Sequence, residues 1–350
     1  MAWSKVTPMP VNSTLADISD LSLRTAFAVY IVSLILSCIH YMRAQAVIDL
    51  KRDRAAVEEK ELVAVGAGTG SATTVDEANS PELVSTASSQ EELDAARLRA
   101  RKMAGMTQYL TWVGIIFHVV AVVTRGMSVN RFPMGNMYEF VITSTAVTMV
   151  AAAIIIQRRG WHTTWPWLLA PNIVLLFLSA TVLYAQAAPL VPALRSFWYP
   201  FHVSTVSVGA SIGLISGMFS LLYLLRIWQP RGQEKGFFGA IAKPLPSAKK
   251  LDSYAYRTAI FTLPVFGIGI MLGAIWGEVA WGRFWGWDPK ETVALITWIL
   301  YAAYLHARAT AGWKNAKAAW INVAAFVTSV FNLFFINLVA TGLHSYAGLN

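Results

Sequence analysis

Cysteine is nearly absent from this chain of 350 residues: Cys38 stands alone, inside an apolar run. A lone cysteine excludes an intrachain disulfide, a CxxC pair and a cysteine-rich metal site, so any thiol chemistry must come from a partner or substrate. Charge is scarce too. Charged residues make up 13% of the chain and hydrophobic residues 56%, whereas soluble domains carry about 25% charge. Strand-like alternation at even spacing is missing, which argues against a barrel. No basic region, apolar core and small-residue cleavage site follow one another at the start, so no cleaved signal peptide is expected. No internal repeat is found.

Long apolar runs dominate instead. Eight are long enough to cross a bilayer as helices, near 23–41, 106–124, 138–156, 166–186, 202–227, 258–276, 291–308 and 318–340. The expected fold is an all-α integral membrane protein, a polytopic bundle of about eight transmembrane helices. The net charge of +9 sits mostly in a few loops, which points to membrane topology rather than to nucleic acid. With the N-terminus outside, the inner loops hold 21 Lys and Arg and the outer segments 7. That bias puts both termini on the outer, extracytoplasmic side of a bacterial-type cytoplasmic membrane, and 12 to 7 remains when the long first loop is left out.

Three parts follow. Residues 1–42 form an outer N-terminus and a first transmembrane helix. Residues 43–105 are a charged cytoplasmic insertion, expected to be partly disordered because Gly66 to Ser89 is rich in Gly, Ser, Thr and Ala. Ser89 with Glu92 resembles a capping box that opens a short charged helix into Met106. Residues 106–350 are a seven-helix membrane domain with a tryptophan-rich outer segment at 281–292.

That segment reads Trp-Gly-Arg-Phe-Trp-Gly-Trp-Asp-Pro-Lys-Glu-Thr. Trp281 and Trp285 are four apart, so a helix would put both indoles on one face, with Trp287 completing the cluster. Such a flat apolar plate suits a planar ligand such as a porphyrin. Arg283 and Lys290 would neutralise its carboxylates. The plainer reading is an interfacial aromatic belt followed by a helix start, with Asp288 as N-cap, Pro289 first in the helix and Glu291 closing a capping box.

His202 and His344 fall at the outer ends of helices five and eight, on the same face as the tryptophans. They are candidate axial ligands of a haem iron, with ordinary interfacial histidines as the alternative. His118 and His306 lie within helices two and seven, where an ionisable group marks either a function or a helix-packing contact. His40 and His162 read as plain interfacial residues. Arg125, Arg131, Pro133, Asn136 and Glu139 form a polar group at the outer ends of helices two and three, read as a structural turn or as a propionate contact.

Together these motifs resemble a known family. The run from Trp281 to Thr292 is similar to the "WWD" signature of haem-handling proteins. Trp298 to Tyr301, Tyr304-Leu305-His306-Ala307-Arg308, Phe132-Pro133 to Tyr138-Glu139, and Gly342-Leu343-His344-Ser345-Tyr346 are similar to its CcsA/ResC branch of cytochrome c biogenesis proteins. The likeness covers roughly residues 106–350. One departure is Val293, where the pattern has tryptophan.

The resemblance implies a system II cytochrome c synthase, a haem lyase that works with a ResB-type partner in the lipid bilayer. It implies haem b as bound substrate, His202 and His344 as its outer ligands against Trp281, Trp285, Trp287 and Asp288, and His306 as ligand of a second, intramembrane site shared with the partner. His118 matches a recurring family position. Haem would enter from the inner side, pause near His306 and pass outward, where the two thiols of an apocytochrome Cys-x-x-Cys-His segment add across its vinyl groups. Catalysis would be positioning rather than acid–base chemistry. A haem exporter or chaperone is the alternative, and a quinone- or lipid-binding subunit a weaker one.

Overall fold

A computed structural model describes residues 11–67, 81–310, 313, 316–340 and 342–344, without the side chains of 60–67 and 81–89. Among the described residues every regular element is a helix. The long ones are α1 (Ser13–Ala67), α2 (Pro81–Ser128), α3 (Met137–Arg159), α4 (Trp165–Thr181) and α5 (Trp198–Trp228). A short α6 (Gly236–Ala242) precedes α7 (Ala248–Trp281), α8 (Pro289–Ala309) and α9 (Ala316–Leu338). Seven of these, all but α6 and α8, are long and apolar enough to cross a membrane. The protein is thus a multi-pass membrane bundle. The eighth expected span, α8, has 21 residues, about 31 Å of helix, enough for a bilayer core. Lys290, Glu291, His306 and Arg308 lower its hydropathy, and it packs against α7 and α9.

The helices gather into two bundles. In the first, α1 to α4 close on a core that includes Tyr30, Ile142, Met149, Trp165, Leu169 and Leu176, all fully buried. Its polar groups are internally matched. Ser19 Oγ donates to Ala121 O at 2.7 Å, and the Trp165 indole N–H donates to Gln108 Oε1 at 3.1 Å. In the second bundle α5 packs along α7 and α9, and α8 packs along α9.

Alternating helix direction gives the molecule two ends. At one, Tyr199 Oη donates to Met134 O and the Trp276 indole to Ala193 O, tying the connection before α3 and the connection before α5 to the second bundle. This end carries the cavity described below and is the pocket end. At the other, α1 and α2 run past the bundle as paired helical extensions.

These extensions take up residues 43–67 and 81–105 of the charged insertion. Helix α1 continues to Ala67, and α2 begins at Pro81, so Ser89 and Glu92 lie inside a helix rather than at its start. Residues 68–80, the rest of the stretch expected to be disordered, lie outside the described residues. A low-hydrophobicity segment forms helix where a partner covers its few apolar positions. Here Leu93, Ala100 and Met103 are buried, and the His40 ring donates to Ala100 O at 3.0 Å. The arm is also fastened to the loop before α7. Arg52 and Arg226 lie 3.1 and 3.0 Å from the Glu234 carboxylate. Burial pushes that carboxyl up, but the two guanidinium groups and backbone N–H donors outweigh it and hold it at about 2.

Candidate functional site at the pocket end

The helix that would put Trp281 and Trp285 on one face does not form. Helix α7 stops at Trp281, and Gly282 caps it in the left-handed region at φ 70°, where a side chain would be strained. The chain then runs without regular structure to Asp288, with Trp287 also left-handed at φ 57°. Trp281 and Trp285 therefore do not form one plate by helical spacing. Trp285 and Phe284 line the rim of a cavity, Phe284 being 60% exposed, while Trp287 packs edge-on against Trp285 with its centroid 5.8 Å away and stays 70% exposed.

Helix α8 begins as expected. Asp288 Oδ1 accepts from Lys290 N at 3.0 Å, and Glu291 Oε2 accepts from Asp288 N at 3.2 Å, closing the capping box. Asp288 does more than cap. Its Oδ2 accepts from Leu343 N at 2.9 Å, and its Oδ1 accepts from His344 Nδ1 at 3.1 Å. Burial pushes the Asp288 carboxyl up, but these donors and the His344 ring hold it at about 2. One carboxylate thus starts α8, pins the chain after α9, and orients a histidine.

His202 is set the same way from the other wall. Its Nδ1 donates to Gly269 O at 2.8 Å across α5 and α7. Gly273, one turn on, has no Cβ; one built there would sit 2.6 Å from His202 Cε1. A carbonyl and a carboxylate can only accept, so both histidines carry a proton on Nδ1, which leaves Nε2 as the ring nitrogen available to a ligand. Both line the same cavity. Trp276 joins them. It stacks on His202 at 5.6 Å and 16°, meets His344 edge-on at 5.6 Å, and touches Trp281 at 4.7 Å. Trp281 in turn backs His344 at 4.8 Å.

The cavity has a volume of about 200 Å³. Its walls come from α5, α7, α8 and α9, closed on one side by Met134 to Met137 and Phe140. Lys290 lines it and donates from Nζ to Asn337 Oδ1. Arg283 does not line it and lies 3.9 Å from Glu291. Val293, the departure from the motif, is not part of the wall. The arginines of the preceding turn are spent on structure: Arg125 and Arg131 lie 3.1 and 2.7 Å from the fully buried Glu139 carboxylate, and Gly135 N donates to it at 2.7 Å. That cluster fixes the turn that closes the cavity.

The other two candidate histidines are elsewhere. His118 is fully buried in the first bundle, with Nδ1 3.4 Å from Tyr30 Oη. His306 is exposed on the flank of α8, near the arm end. Trp276 was absent from the sequence candidates. Its signal was weak, one of 14 tryptophans and buried inside an apolar helix; only its position five residues before Trp281 set it apart.

A multi-pass helical membrane protein with two preset histidines over an indole-walled cavity is a class of ligand-handling membrane protein. Comparison narrows it. The profile described as Cytochrome C assembly protein matches residues 101–344. Proteins described as cytochrome c biogenesis protein CcsA are similar: one from Guillardia theta is 35% identical over 65% of this chain and 80% of its own length. One from Chlamydomonas reinhardtii is 31% identical over 71% of this chain and 70% of its own. One from Synechococcus sp. (strain CC9902) is 30% identical over 69% and 86%. The chain belongs to the cytochrome c assembly family and is of its CcsA type. Its role lies in cytochrome c biogenesis.

Proposed function

We propose that the pocket end holds haem b as substrate and presents it for covalent attachment to apocytochrome c, making this chain the CcsA-like half of a system II cytochrome c synthase. The observation that carries the reading is the pair His202 and His344. Each is anchored through Nδ1 and lines one cavity, which leaves Nε2 for a ligand. Imidazole held this way is suited to iron, because the second hydrogen bond fixes the tautomer and the ring plane. The lining of the cavity suits a porphyrin in its chemistry. Trp276, Trp285 and Phe284 offer apolar ring faces and edges, and Lys290 offers one cation for a propionate.

Within the reaction the protein's residues position. His202 and His344 hold the iron, and the indoles hold the ring and exclude water. Asp288 keeps His344 in register. The Cys-x-x-Cys-His segment then meets the vinyl groups at a fixed place. Each thiol adds its sulfur to one vinyl carbon and its hydrogen to the other, so no residue here needs to act as acid or base. The charge bias of the loops favours the extracytoplasmic side of the cytoplasmic membrane for the pocket end. His306, exposed on α8, is free to meet a ResB-type partner's histidine at a second haem site.

Reconstitution tests this. The full chain, the partner, reduced haem and a Cys-x-x-Cys-His peptide are combined, and the peptide is scored for a thioether-linked haem. Formation of that product supports synthesis. Haem bound and released without a bond marks an exporter or chaperone, and no haem binding at all refutes both.

A further inference from the structure

Below the pocket, α8 turns a polar seam into the second bundle. Lys290, Ala294, Thr297, Tyr301, Tyr304 and Arg308 recur at alternating steps of four and three, which places them on one face. In such a seam apolar residues are the rule, yet only Ala294 lacks a polar group. Thr297, Tyr301 and Tyr304 are at most 1% exposed. From Thr297 to Arg308 the seam covers about 17 Å of helix, more than half of a ~30 Å bilayer core.

The facing helices are polar along the same line. Asn322 of α9 is fully buried and donates from Nδ2 to Ser216 Oγ at 2.9 Å and Ser220 Oγ at 2.8 Å, both on α5. Thr297 Oγ1 meets Thr328 Oγ1 at 3.0 Å. At its upper end the seam opens into the cavity, whose floor includes Thr297, Ser329 and Asn332. At its lower end Arg308 and Asp252 of α7 form an ion pair at 2.8 Å, with the guanidinium 5.2 Å from the Tyr256 ring.

This line also gathers buried polar atoms that make no hydrogen bond within the protein: Tyr301 Oη, Tyr304 Oη, Asn322 Oδ1, Asn332 Oδ1 and Arg308 Nε. Tyr301 interacts with Ser329, and Tyr304 with Ser220, without meeting the geometry of a well-formed hydrogen bond. Leaving such a group unmatched costs about 1–3 kcal/mol each, and folded proteins meet that need with ordered water. Several such atoms in one file, with hydroxyls between them, call for several waters in the same file.

We propose that α5, α8 and α9 enclose a file of internal water that carries protons between Asp252 and the pocket. Tyrosine, serine and threonine hydroxyls both donate and accept, so each can pass a proton to the next water. Every hop breaks one O–H bond and makes another, so no oxidant or reductant is consumed. Asp252 takes up and returns protons at the arm end, and its charge offsets that of Arg308. The titratable groups facing the file are Tyr223 of α5, Asp252 and Tyr256 of α7, Tyr301, Tyr304 and Arg308 of α8, and Lys290 at the pocket mouth.

The test uses the full chain in phosphatidylcholine vesicles with a trapped pH dye and a potassium–valinomycin clamp. After a pH step, proton entry should exceed that of protein-free vesicles by about an order of magnitude. It should fall back to the protein-free rate in the paired substitution Tyr301→Phe and Tyr304→Phe. Entry at the protein-free rate in the unaltered protein overturns the proposal, as does undiminished entry in the folded double variant. If the variant does not fold, hydroxyl-radical footprinting of the unaltered protein decides instead. Tyr301 and Tyr304 labelled on the millisecond scale despite full burial support the water file; Tyr301 and Tyr304 unlabelled overturn it.

Discussion

In the first bundle Trp165 is fully buried, and its indole N–H is satisfied by Gln108 between α2 and α3. In the second, Trp276 is 1% exposed and its indole N–H is satisfied by Ala193, yet its ring lies along His202 and the cavity. The histidines differ in the same way. His118 is sealed beside Tyr30, while His202 and His344 are held from behind and open in front. One bundle fills its interior; the other keeps a hollow and arms its walls. Rigidity in the first lets its turn at Met134 to Met137 serve as a wall of the second.

The largest effect that would break this contrast lies in that turn. Glu139→Ala strands Arg125 and Arg131 beside a buried void, and should cost about 3–5 kcal/mol, read by denaturant unfolding in detergent. A loss under about 1 kcal/mol would show that the turn is not the anchor. Trp165→Ala should cost about 3–5 kcal/mol by the same measurement, because a filled core cannot collapse around the void.

Asp288→Asn is gentler. It keeps the cap and loses the carboxylate behind His344, so haem affinity should fall by about 10–100-fold in a titration monitored by absorbance. The pH dependence follows from the depressed carboxyl. Its contribution is complete above its unfolded value, near 4, and is lost only as pH falls through about 2. Asp288 therefore stays ionised from pH 8 to 5, and the variant's deficit should be the same at both. A deficit that disappears at pH 5 would mean that the carboxyl protonates there. The smallest effect is expected for His118→Gln, which should leave haem content at the pocket unchanged and alter stability by less than about 1.5 kcal/mol. A spectral change at the pocket would erase the distinction between the bundles.

Much of this was legible in the residues. Apolar run length placed the spans, and loop charge put His202, His344 and the tryptophan segment at one end together. The cap at Asp288 was readable from Asp-Pro-Lys-Glu alone. Three things were not. The left-handed breaks at Gly282 and Trp287 replaced a helix with an irregular connection, and one of them falls on a tryptophan, which gives no local warning. The arm is helical over 43–67 and 81–105, where α1 and α2 pack along each other, a tertiary effect that composition does not carry. The role of Trp276 depends on α7 lying against α5, which no spacing within one helix reveals.

The central claim is that His202 and His344 bind one iron in one cavity. The most direct measurement is the absorption and resonance Raman spectrum of the purified full chain loaded with haem, before and after His202→Gly and His344→Gly, each alone and together. The account predicts a six-coordinate, low-spin bis-histidine spectrum. Each single change should shift it to five-coordinate high spin, with recovery on adding imidazole, and the double change should lose the pocket's haem. An unaltered low-spin spectrum in the double variant would contradict it.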